Sequence, residues 1–299
     1  MSGEPIRYFH RQKQAFATET VYGGDWLRWT YGTALGRFAL GLLVKRAIVS
    51  HYYGWRMNWR ASANKILPFI VDYDLNVDEF AKSPFAFKTF NEFFYRALKP
   101  GARPVATGEN VAVLPADGRH LAIPIIDAAA GFYAKGQRFD LAAFLRDEAL
   151  AREFAGGAML ISRLCPVDYH RFHFPVAGTP GEARLVNGWL YSVSPIALRR
   201  NLGYLWENKR MVTTIKSPRL GKVLMVEIGA TMVGSIVQTY VPGRLVAKGE
   251  EKGLFKFGGS CVVTLFRPGA IRFDSDLVKH SADGIEVYAK MGEQLGTAP

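Results

Sequence analysis

The pattern of apolar and polar positions changes near residue 104. Before this point apolar residues recur at helical spacing, whereas after it short apolar runs are separated by Gly, Pro and Asp residues. The first pattern predicts helices, and the second predicts short strands that pair mostly antiparallel. The predicted fold class is therefore α+β, with a helical region over residues 1–104 and a β-rich domain over residues 105–299.

The helical region contains two predicted segments. Over residues 26–49 most apolar side chains fall on one side of a helix, although Arg46 interrupts that side and three glycines weaken the helix. A second helix is predicted over residues 89–98, and the Pro-Gly step after Lys99 ends it.

The β-rich domain is predicted from seven apolar runs that share flanking turn residues. They are residues 111–115, 120–126, 159–164, 183–189, 222–228, 232–241 and 261–266. Two helical inserts are predicted among them, over residues 141–154 and near residues 195–201.

The net charge of the chain indicates what kind of partner it binds. A formal net charge of +12 favours binding to nucleic acid or to an anionic membrane surface. In the helical region tryptophans and tyrosines alternate with arginines and lysines, which is typical of a segment lying at lipid headgroup depth. The alternative is a helical pair packed on the protein with a solvated basic face. No RNA-binding or helix-turn-helix motif is present, so no nucleic-acid partner is expected.

The location follows from three further features. The most apolar region, residues 31–49, is interrupted by Arg37, Lys45 and Arg46 and falls short of the roughly 20 apolar residues of a transmembrane helix. The first 20 residues lack the apolar core of a secretory signal. Cys165 and Cys261 are too few for a disulfide framework and are expected to be free thiols. We therefore expect a peripheral protein on the cytoplasmic face of a membrane, with no transmembrane helix.

Two segments carry residues with acid–base chemistry. Asp117 lies in a Pro-Ala-Asp-Gly turn, which by itself has an ordinary backbone role. His170 and His173 are three residues apart, with Asp168 two residues before the first. Imidazole is the usual proton carrier near neutral pH. A His-x-x-His pair beside an aspartate is also compatible with zinc, but the remaining histidines and cysteines are too scattered to complete a ligand set, so no metal is predicted.

The segment before residue 261 has two interpretations. A charged stretch, residues 248–253, has the composition of a solvated turn and leads into Gly258, Gly259 and Ser260. The two glycines are typical of a tight turn into a strand. They would equally allow the Ser260 hydroxyl to approach the Gly259 carbonyl, and spacing alone does not distinguish these readings.

Five motifs in series resemble the phosphatidylserine decarboxylase family, and the likeness covers about residues 89–275. The motifs are NEFFYRALKPGARP at 91–104, PADG at 115–118, DYHRFH at 168–173, VEIGATMVG at 226–234, and KGEEKG followed by FGGS at 248–260. One motif alone would mean little, but five in this order form a specific pattern. The chain departs from the family at Cys261, where a threonine usually follows the serine.

The resemblance implies roles for individual residues. Asp117, His173 and Ser260 match the relay for self-cleavage between Gly259 and Ser260, which converts Ser260 into a covalent pyruvoyl cofactor. His170 matches the histidine of the decarboxylation step. The implied activity converts phosphatidylserine to phosphatidylethanolamine and CO2 through a Schiff base.

The same resemblance implies partners. These are the phosphatidylserine substrate, an anionic phospholipid membrane and the two self-cleaved chains held together, with a homodimer as one candidate assembly.

Three other functions remain open from the residues. One is a pyruvoyl-dependent decarboxylase of a soluble amino acid on the same fold. The second is a conventional serine hydrolase, although the sequence around Ser260 lacks the G-x-S-x-G elbow. The third is a basic membrane-binding scaffold, which would leave the Asp and His residues without a role.

Overall fold

The computed structural model of the chain describes residues 5–21, 23–40, 52, 54–126, 139–231, 235–258 and 260–299. In chain order its strands are β1 (Arg7–His10), β2 (Ala15–Thr18), β3 (Val111–Val113), β4 (Gly118–Ile123), β5 (Ala158–Leu164), β6 (Arg171–His173), β7 (Thr179–Pro180), β8 (Arg184–Val186), β9 (Arg210–Ser217), β10 (Gly221–Gly229), β11 (Ile236–Gln238), β12 (Glu251–Phe255), β13 (Ser260–Phe266), β14 (Arg272–Phe273), β15 (Glu286–Ala289) and β16 (Gln294–Thr297).

The helices are shorter and lie mainly between these strands. They are α1 (Gly24–Gly32), α2 (Ala34–Ala39), α3 (Ile66–Asp72), α4 (Phe90–Phe94), α5 (Leu141–Leu145), α6 (Glu148–Phe154), α7 (Pro195–Leu198), α8 (Tyr204–Glu207) and α9 (Ser275–Ala282). Short 3-10 turns occupy Arg60–Lys65, Val77–Glu79 and Pro84–Ala86.

One large sheet organises the molecule. Its strand order is β2-β1-β15-β4-β5-β13-β10-β9-β7, and β8 also pairs with β9. Its pairings are antiparallel except for β1 with β15. Two three-stranded sheets, β11-β12-β6 and β14-β16-β3, complete the β structure and are also antiparallel. The predicted β-rich, mostly antiparallel portion is confirmed.

The central strands are buried on both faces of the large sheet. Along β10, Val223 and Met225 pack into one hydrophobic cluster, whereas Leu224 and Val226 pack into another. The first cluster joins the sheet to β6, β12 and α9, and the second joins it to α5, α6, α7 and α8. Side chains alternate between the faces of a strand, so a strand covered on both faces must be apolar at successive positions. This explains why these strands were recognisable as continuous apolar runs.

The N-terminal region is only partly helical. Residues 7–18 form the hairpin β1–β2, and β1 extends the large sheet beside β15. Parts of the chain on both sides of residue 104 therefore share one sheet. The hairpin was missed because its strands are only four residues long and its outer strand is mostly exposed.

The continuous helix predicted over residues 26–49 is wrong for its described part. α1 ends at Gly32, and Thr33 has an extended backbone conformation before α2 begins. As a result Tyr31 is buried, while Leu35 and Phe38 are 67% and 66% exposed. Residues 41–49 of that prediction lie outside the described residues. In the part of the chain that the structure describes, no helix combines the length and apolar character needed to cross a bilayer.

Other boundaries differ for local reasons. The helix predicted over residues 89–98 is limited to Phe90–Phe94, with the Thr89 side chain accepting a hydrogen bond from the Glu92 backbone at its start. The helix predicted over 141–154 is two helices, because Arg146 adopts a left-handed conformation with φ 49° and Asp147 caps a new helix. Of the predicted strand 232–241, residues 236–238 form β11 and residues 232–234 lie outside the described residues.

The prediction of a solvated charged turn over residues 248–253 is wrong at its end. Residues 251–255 form β12, and the Lys252 ammonium group is fully buried at 2.9 Å from the equally buried Glu227 carboxylate. Gln238 bonds to both groups, accepting from Lys252 at 2.7 Å and donating to Glu227 at 2.7 Å. Buried charges of this kind require a partner, which only the folded chain supplies.

A buried histidine lies inside the large sheet. His120 on β4 donates from Nε2 to the Ala289 carbonyl and accepts at Nδ1 from the Ser162 hydroxyl. Burial lowers the pKa of His120 to about 3. The folded protein therefore keeps this ring neutral, whereas the unfolded chain binds a proton below about pH 6.5. The free energy of unfolding must consequently fall as the pH falls from about 6.5 to about 3.

We predict that His120→Gln reduces this pH dependence, since glutamine hydrogen-bonds without titrating. The slope of the unfolding free energy should become shallower by up to about 1.4 kcal/mol per pH unit. Urea unfolding between pH 5 and 7 measures it, in a Ser260→Ala background because the family resemblance predicts cleavage at Ser260. His10→Gln, at a partly exposed histidine, is the matched control and should change the slope less. Identical slopes for the parent and His120→Gln would contradict a neutral buried His120.

Candidate active site

Ser260 is the first residue of β13 and lies in the middle of the large sheet. It is fully buried and pairs in register with Leu164 of β5 and Gly229 of β10. Gly259, the other residue of the predicted cleavage site, lies outside the described residues. Gly258 has a φ of 131°, a conformation that side chains with a Cβ rarely adopt. A glycine at position 258 is therefore required by the backbone itself.

The loop before Ser260 is held by the N-terminal region. The Phe257 backbone N–H donates to the Asn91 side-chain oxygen at 3.0 Å, and Asn91 in turn donates to Asn58. The Phe257 ring packs edge-on against Phe90 and at a tilt against Phe94. Asn91 and Phe94 of the first family motif (residues 91–104) therefore hold Phe257 of the last motif (residues 248–260) in place.

His170 is the imidazole that contacts Ser260. Its Nδ1 lies 3.3 Å from Ser260 Oγ, and its Nε2 lies 2.9 Å from the Cys165 carbonyl oxygen. Because a carbonyl only accepts, Nε2 must carry the proton and Nδ1 presents a lone pair to the serine hydroxyl. The ring stacks on Phe94 with centroids 3.8 Å apart.

The environment of His170 favours its neutral form. Burial lowers the pKa of His170 to about 3, and the positive charge of Arg96 acts in the same direction. Arg96 is buried over the rings of Phe80 and Phe93, and its Nη2 donates to the Val167 carbonyl. Among the described residues its Nε and Nη1 have no hydrogen-bond partner.

His173 has different partners. It ends β6, donates from Nδ1 to the Gly249 carbonyl at 2.9 Å, and lies with Nε2 3.3 Å from the Tyr169 hydroxyl. Burial lowers the pKa of His173, while the nearby carboxylates of Glu251 and Asp117 oppose this. No hydrogen bond between His173 and Ser260 occurs in the described part of the chain, so the predicted relay is not a direct chain of contacts.

Asp117 lies in the turn between β3 and β4 and is almost fully buried. Its carboxylate accepts from the Arg103 guanidinium, at 2.6 Å from Nη2, and from the Met291 backbone N–H at 2.8 Å. The His173 backbone N–H donates to the Pro115 carbonyl at 2.7 Å, which brings β6 against this turn. Asp117 and His173 are therefore neighbours that interact through charge rather than through a shared hydrogen bond.

A second group of charges was missed by sequence reasoning. It consists of two arginines and three carboxylates that are all buried, namely Glu19, Arg119, Arg163, Asp168 and Glu286. Arg163 bonds to Glu19 and Glu286, and Arg119 bonds to Asp168 and pairs with Glu19. Burial by itself would raise the pKa of Glu19, but Arg163 beside it lowers that pKa to about 2. The only sequence signals were Asp168 before the histidine pair and an arginine directly after the Pro-Ala-Asp-Gly turn.

A cavity of about 330 Å³ adjoins the loop before Ser260. It is lined by Phe257 and Gly258 of that loop and by Trp26 and Leu27 of α1. The remaining lining residues are Glu19, Thr20, Val21, Gly23, Arg163, Leu164, Cys165, Pro166, Val167, Ser192, Val193, Ser194, Ala230 and Thr231. The cavity therefore extends from the predicted cleavage site to the helix that carries exposed tryptophans.

Cys261 lies on the opposite face of the sheet from Ser260. Its side chain belongs to the cluster between the sheet and α5 to α8, and adjacent residues of a strand point to opposite faces. Burial raises the pKa of its thiol. Cys261, which stands where the family usually has a threonine, therefore lies among apolar side chains rather than beside His170.

The fold and the site define a class of protein. The serine is buried behind a glycine loop within the sheet and contacts a neutral imidazole, unlike the exposed nucleophile of a conventional hydrolase. A sequence model described as phosphatidylserine decarboxylase matches residues 90–297. Since this is more than half of the chain, the protein belongs to the phosphatidylserine decarboxylase family.

Individual relatives agree with this assignment. The chain is 46% identical over 296 residues to a phosphatidylserine decarboxylase proenzyme of Chlamydia muridarum, covering 99% of this chain and 98% of that one. It is 42% identical over 292 residues to the proenzyme of that name from Clostridium novyi, covering 98% and 99%. The predicted family is confirmed, and the likeness extends through the first 89 residues, where the motifs alone gave little.

Proposed function

We propose that this chain is a self-processing phosphatidylserine decarboxylase, which removes the serine carboxyl group as CO2 and leaves phosphatidylethanolamine. The observation that carries the proposal is the contact between Ser260 Oγ and the unprotonated Nδ1 of His170, in a chain that belongs to this family. The relatives are called proenzymes, which supports processing of the chain before activity.

The proposed processing step uses Ser260 as a nucleophile. A histidine accepts the hydroxyl proton, Oγ bonds to the carbonyl carbon of Gly259, and the Gly259–Ser260 C–N bond breaks with the proton passing to nitrogen. Loss of the Ser260 Cα proton and of the new ester as a carboxylate leaves a dehydroalanine, which water converts to a pyruvoyl end and ammonia. The chains formed are residues 1–259 and 260–299. Proximity within one loop favours the step.

The residues around Ser260 fit a pyruvoyl group at the start of β13. The position is buried, the strand stays held by β5 and β10 on both sides, and His170 faces the side-chain atoms. The group would supply a carbonyl that condenses with the substrate amine and takes up the electron pair left by CO2, which no side chain can do.

We assign the two histidines different proton transfers. We assign self-cleavage to Asp117 and His173 from the family motifs, with the Asp117 charge favouring a protonated His173, although His170 is the ring that contacts Ser260 Oγ. His170 returns the proton to the substrate carbon, since its Nδ1 faces the position where the reacting atoms would lie. Burial lowers the pKa of both rings, so each is neutral near pH 7 and has one unprotonated nitrogen.

Topology supports continued association of the two chains. The shorter chain would contribute β13 between β5 and β10, β15 between β1 and β4, and β16 between β3 and β14. Arg11 also bonds to Asp276 at 2.6 Å. Separating the chains would therefore require unpairing strands in two sheets at once.

Exposed apolar side chains support a lipid substrate and a peripheral location on a membrane surface. Trp29, Phe38, Trp55 and Trp59 are 41%, 66%, 55% and 47% exposed. Trp26 of α1 lines the cavity beside the Phe257–Gly258 loop. A lipid entering near α1 would thus have a largely apolar path toward Ser260. These features favour the phospholipid over a soluble amino acid.

We expect intact mass measurement of the purified protein to give two fragments divided between residues 259 and 260. The smaller one should react with carbonyl reagents, and both should co-elute in native size exclusion yet separate in denaturant. Ser260→Ala should remain one chain without activity. Ser275→Ala, at an exposed serine of the smaller fragment, is the matched control and should be cleaved normally. An active preparation containing only the intact chain would sink the proposal.

Single substitutions should separate the two histidines. We expect His173→Ala to remain uncleaved, and His170→Ala to be cleaved but to turn over at least about 100-fold more slowly, because a positioned proton carrier is lost. Fragment yield and CO2 release measure the two effects, with His10→Gln as the control. If His170→Ala stays uncleaved, His170 is the base in processing and the assignment of His173 fails.

We expect the protein to co-sediment with vesicles containing phosphatidylserine and to decarboxylate that lipid but not free serine. Trp29→Ala and Phe38→Ala should each weaken binding by about tenfold, since each removes an apolar group that lipid would bury. Leu245→Ala, at a residue 69% exposed elsewhere, is the control. Unchanged binding in both aromatic variants, or equal turnover of free serine, would favour the soluble amino-acid enzyme.

A further inference from the structure

The turn that precedes His170 is closed from both sides by one aspartate. The Asp168 backbone N–H donates to the Cys165 carbonyl at 2.8 Å, and the Asp168 carboxylate accepts the Cys165 backbone N–H at 2.6 Å. Both residues are buried. Cys165 is thereby fixed at its N–H and at its C=O by the same residue.

The Asp168 carboxylate is in turn anchored to the large sheet. Arg119 of β4 donates from Nη1 to Asp168 at 2.6 Å, and its Nε lies 3.2 Å from the Glu19 carboxylate. The Arg119 guanidinium also lies over the rings of Tyr8 and Tyr288, at 5.0 and 5.2 Å. Burial raises the pKa of Asp168, and the adjacent Arg119 opposes this. Arg119 therefore has little freedom to move, and the carboxylate is held with it.

The Cys165 carbonyl, held in place by Asp168, also bonds to His170. The same oxygen that accepts the Asp168 N–H accepts the proton on His170 Nε2 at 2.9 Å. That bond selects the tautomer whose Nδ1 lone pair faces Ser260 Oγ. A backbone carbonyl thus takes the place that a third side chain holds in a nucleophile–base–orienter arrangement.

We propose that Asp168, anchored by Arg119, is a positioning residue that fixes the tautomer and orientation of His170 through the Cys165 carbonyl. The consequence for activity rests on the proposed function, whereas the effect on the ring does not. Asp168 does not line the cavity, so its loss should lower kcat with little change in KM. Displacement of an imidazole by about 1 Å can reduce a rate on the order of 100-fold.

The test reads the tautomer directly. In protein labelled with 15N-histidine in a Ser260→Ala background, two-bond proton–nitrogen correlation spectra distinguish Nε2–H from Nδ1–H rings, and a His170→Gln spectrum identifies the signal. The parent should show a single Nε2–H form. Asp168→Ala should show mixed or exchanging forms of His170, with the other five histidines unchanged.

The second measurement is decarboxylase activity, made on protein that retains Ser260 and has been cleaved. Asp168→Ala should lower kcat by about 10- to 100-fold with KM nearly unchanged. Asp168→Asn still offers an oxygen to the Cys165 N–H and should retain more of the Nε2–H form and of kcat. Loss of the charge that pairs with Arg119 should still give it a minor Nδ1–H form, so where the alanine variant fails to fold, an asparagine variant with the parent spectrum would overturn the proposal. Asp276→Ala is the matched control. It removes from α9 a carboxylate that pairs with Arg11, and it should leave the His170 signal unchanged.

A His170 signal that stays in the single Nε2–H form in both Asp168 variants would overturn the proposal, whether or not activity falls. A changed tautomer without any decarboxylation by the parent protein would instead leave the positioning role intact and overturn the proposed function. The two failures are therefore distinguishable.

Discussion

The site depends on one constraint, which is that Ser260 begins a strand enclosed on both edges and on both faces. Pairing with β5 and β10 fixes its backbone, and the two hydrophobic clusters exclude water from its surroundings. In such an environment an imidazole stays neutral, and the hydroxyl of a buried serine needs a hydrogen-bond partner. The contact between His170 and Ser260 is a direct result of this enclosure.

Enclosure also explains the abundance of buried charge near the site. A carboxylate or guanidinium in the interior must be paired, and here the pairs connect distant parts of the chain. Glu19 from the N-terminal segment joins Arg163 of β5, and Arg103 joins Asp117. These bonds, together with the β1–β15 pairing, make the N-terminal region part of the same structure as the site. The proposed division near residue 104 marks a change of secondary structure along the chain, not a gap in packing.

Predictions from the sequence succeeded where local pattern and burial agree. The strands β5, β10 and β13 are covered on both faces, so their apolar runs were visible without knowledge of their neighbours. The hairpin strands β1 and β2 were missed because they are short and β2 is mostly exposed, and β12 was missed because its partner β6 is far away in the chain. Lys252 illustrates the reason, since nothing in its local sequence reveals the buried Glu227 that makes its burial tolerable. The continuous helix over residues 26–49 failed at Thr33 because periodicity does not register a single extended residue.

Ser260 and its glycines, the two histidines, and the order of five motifs are properties of the sequence alone. They were sufficient to predict the family, because five motifs in one order form a pattern specific to it, and they supplied the residues to which the catalytic roles are assigned. Only the tertiary structure decided that His170 rather than His173 contacts Ser260, and that Asp168 supports the carbonyl bonded to His170. Two histidines three residues apart are chemically equivalent in a sequence. They become different once β6, the Cys165–Asp168 turn and β13 give each ring its own partners.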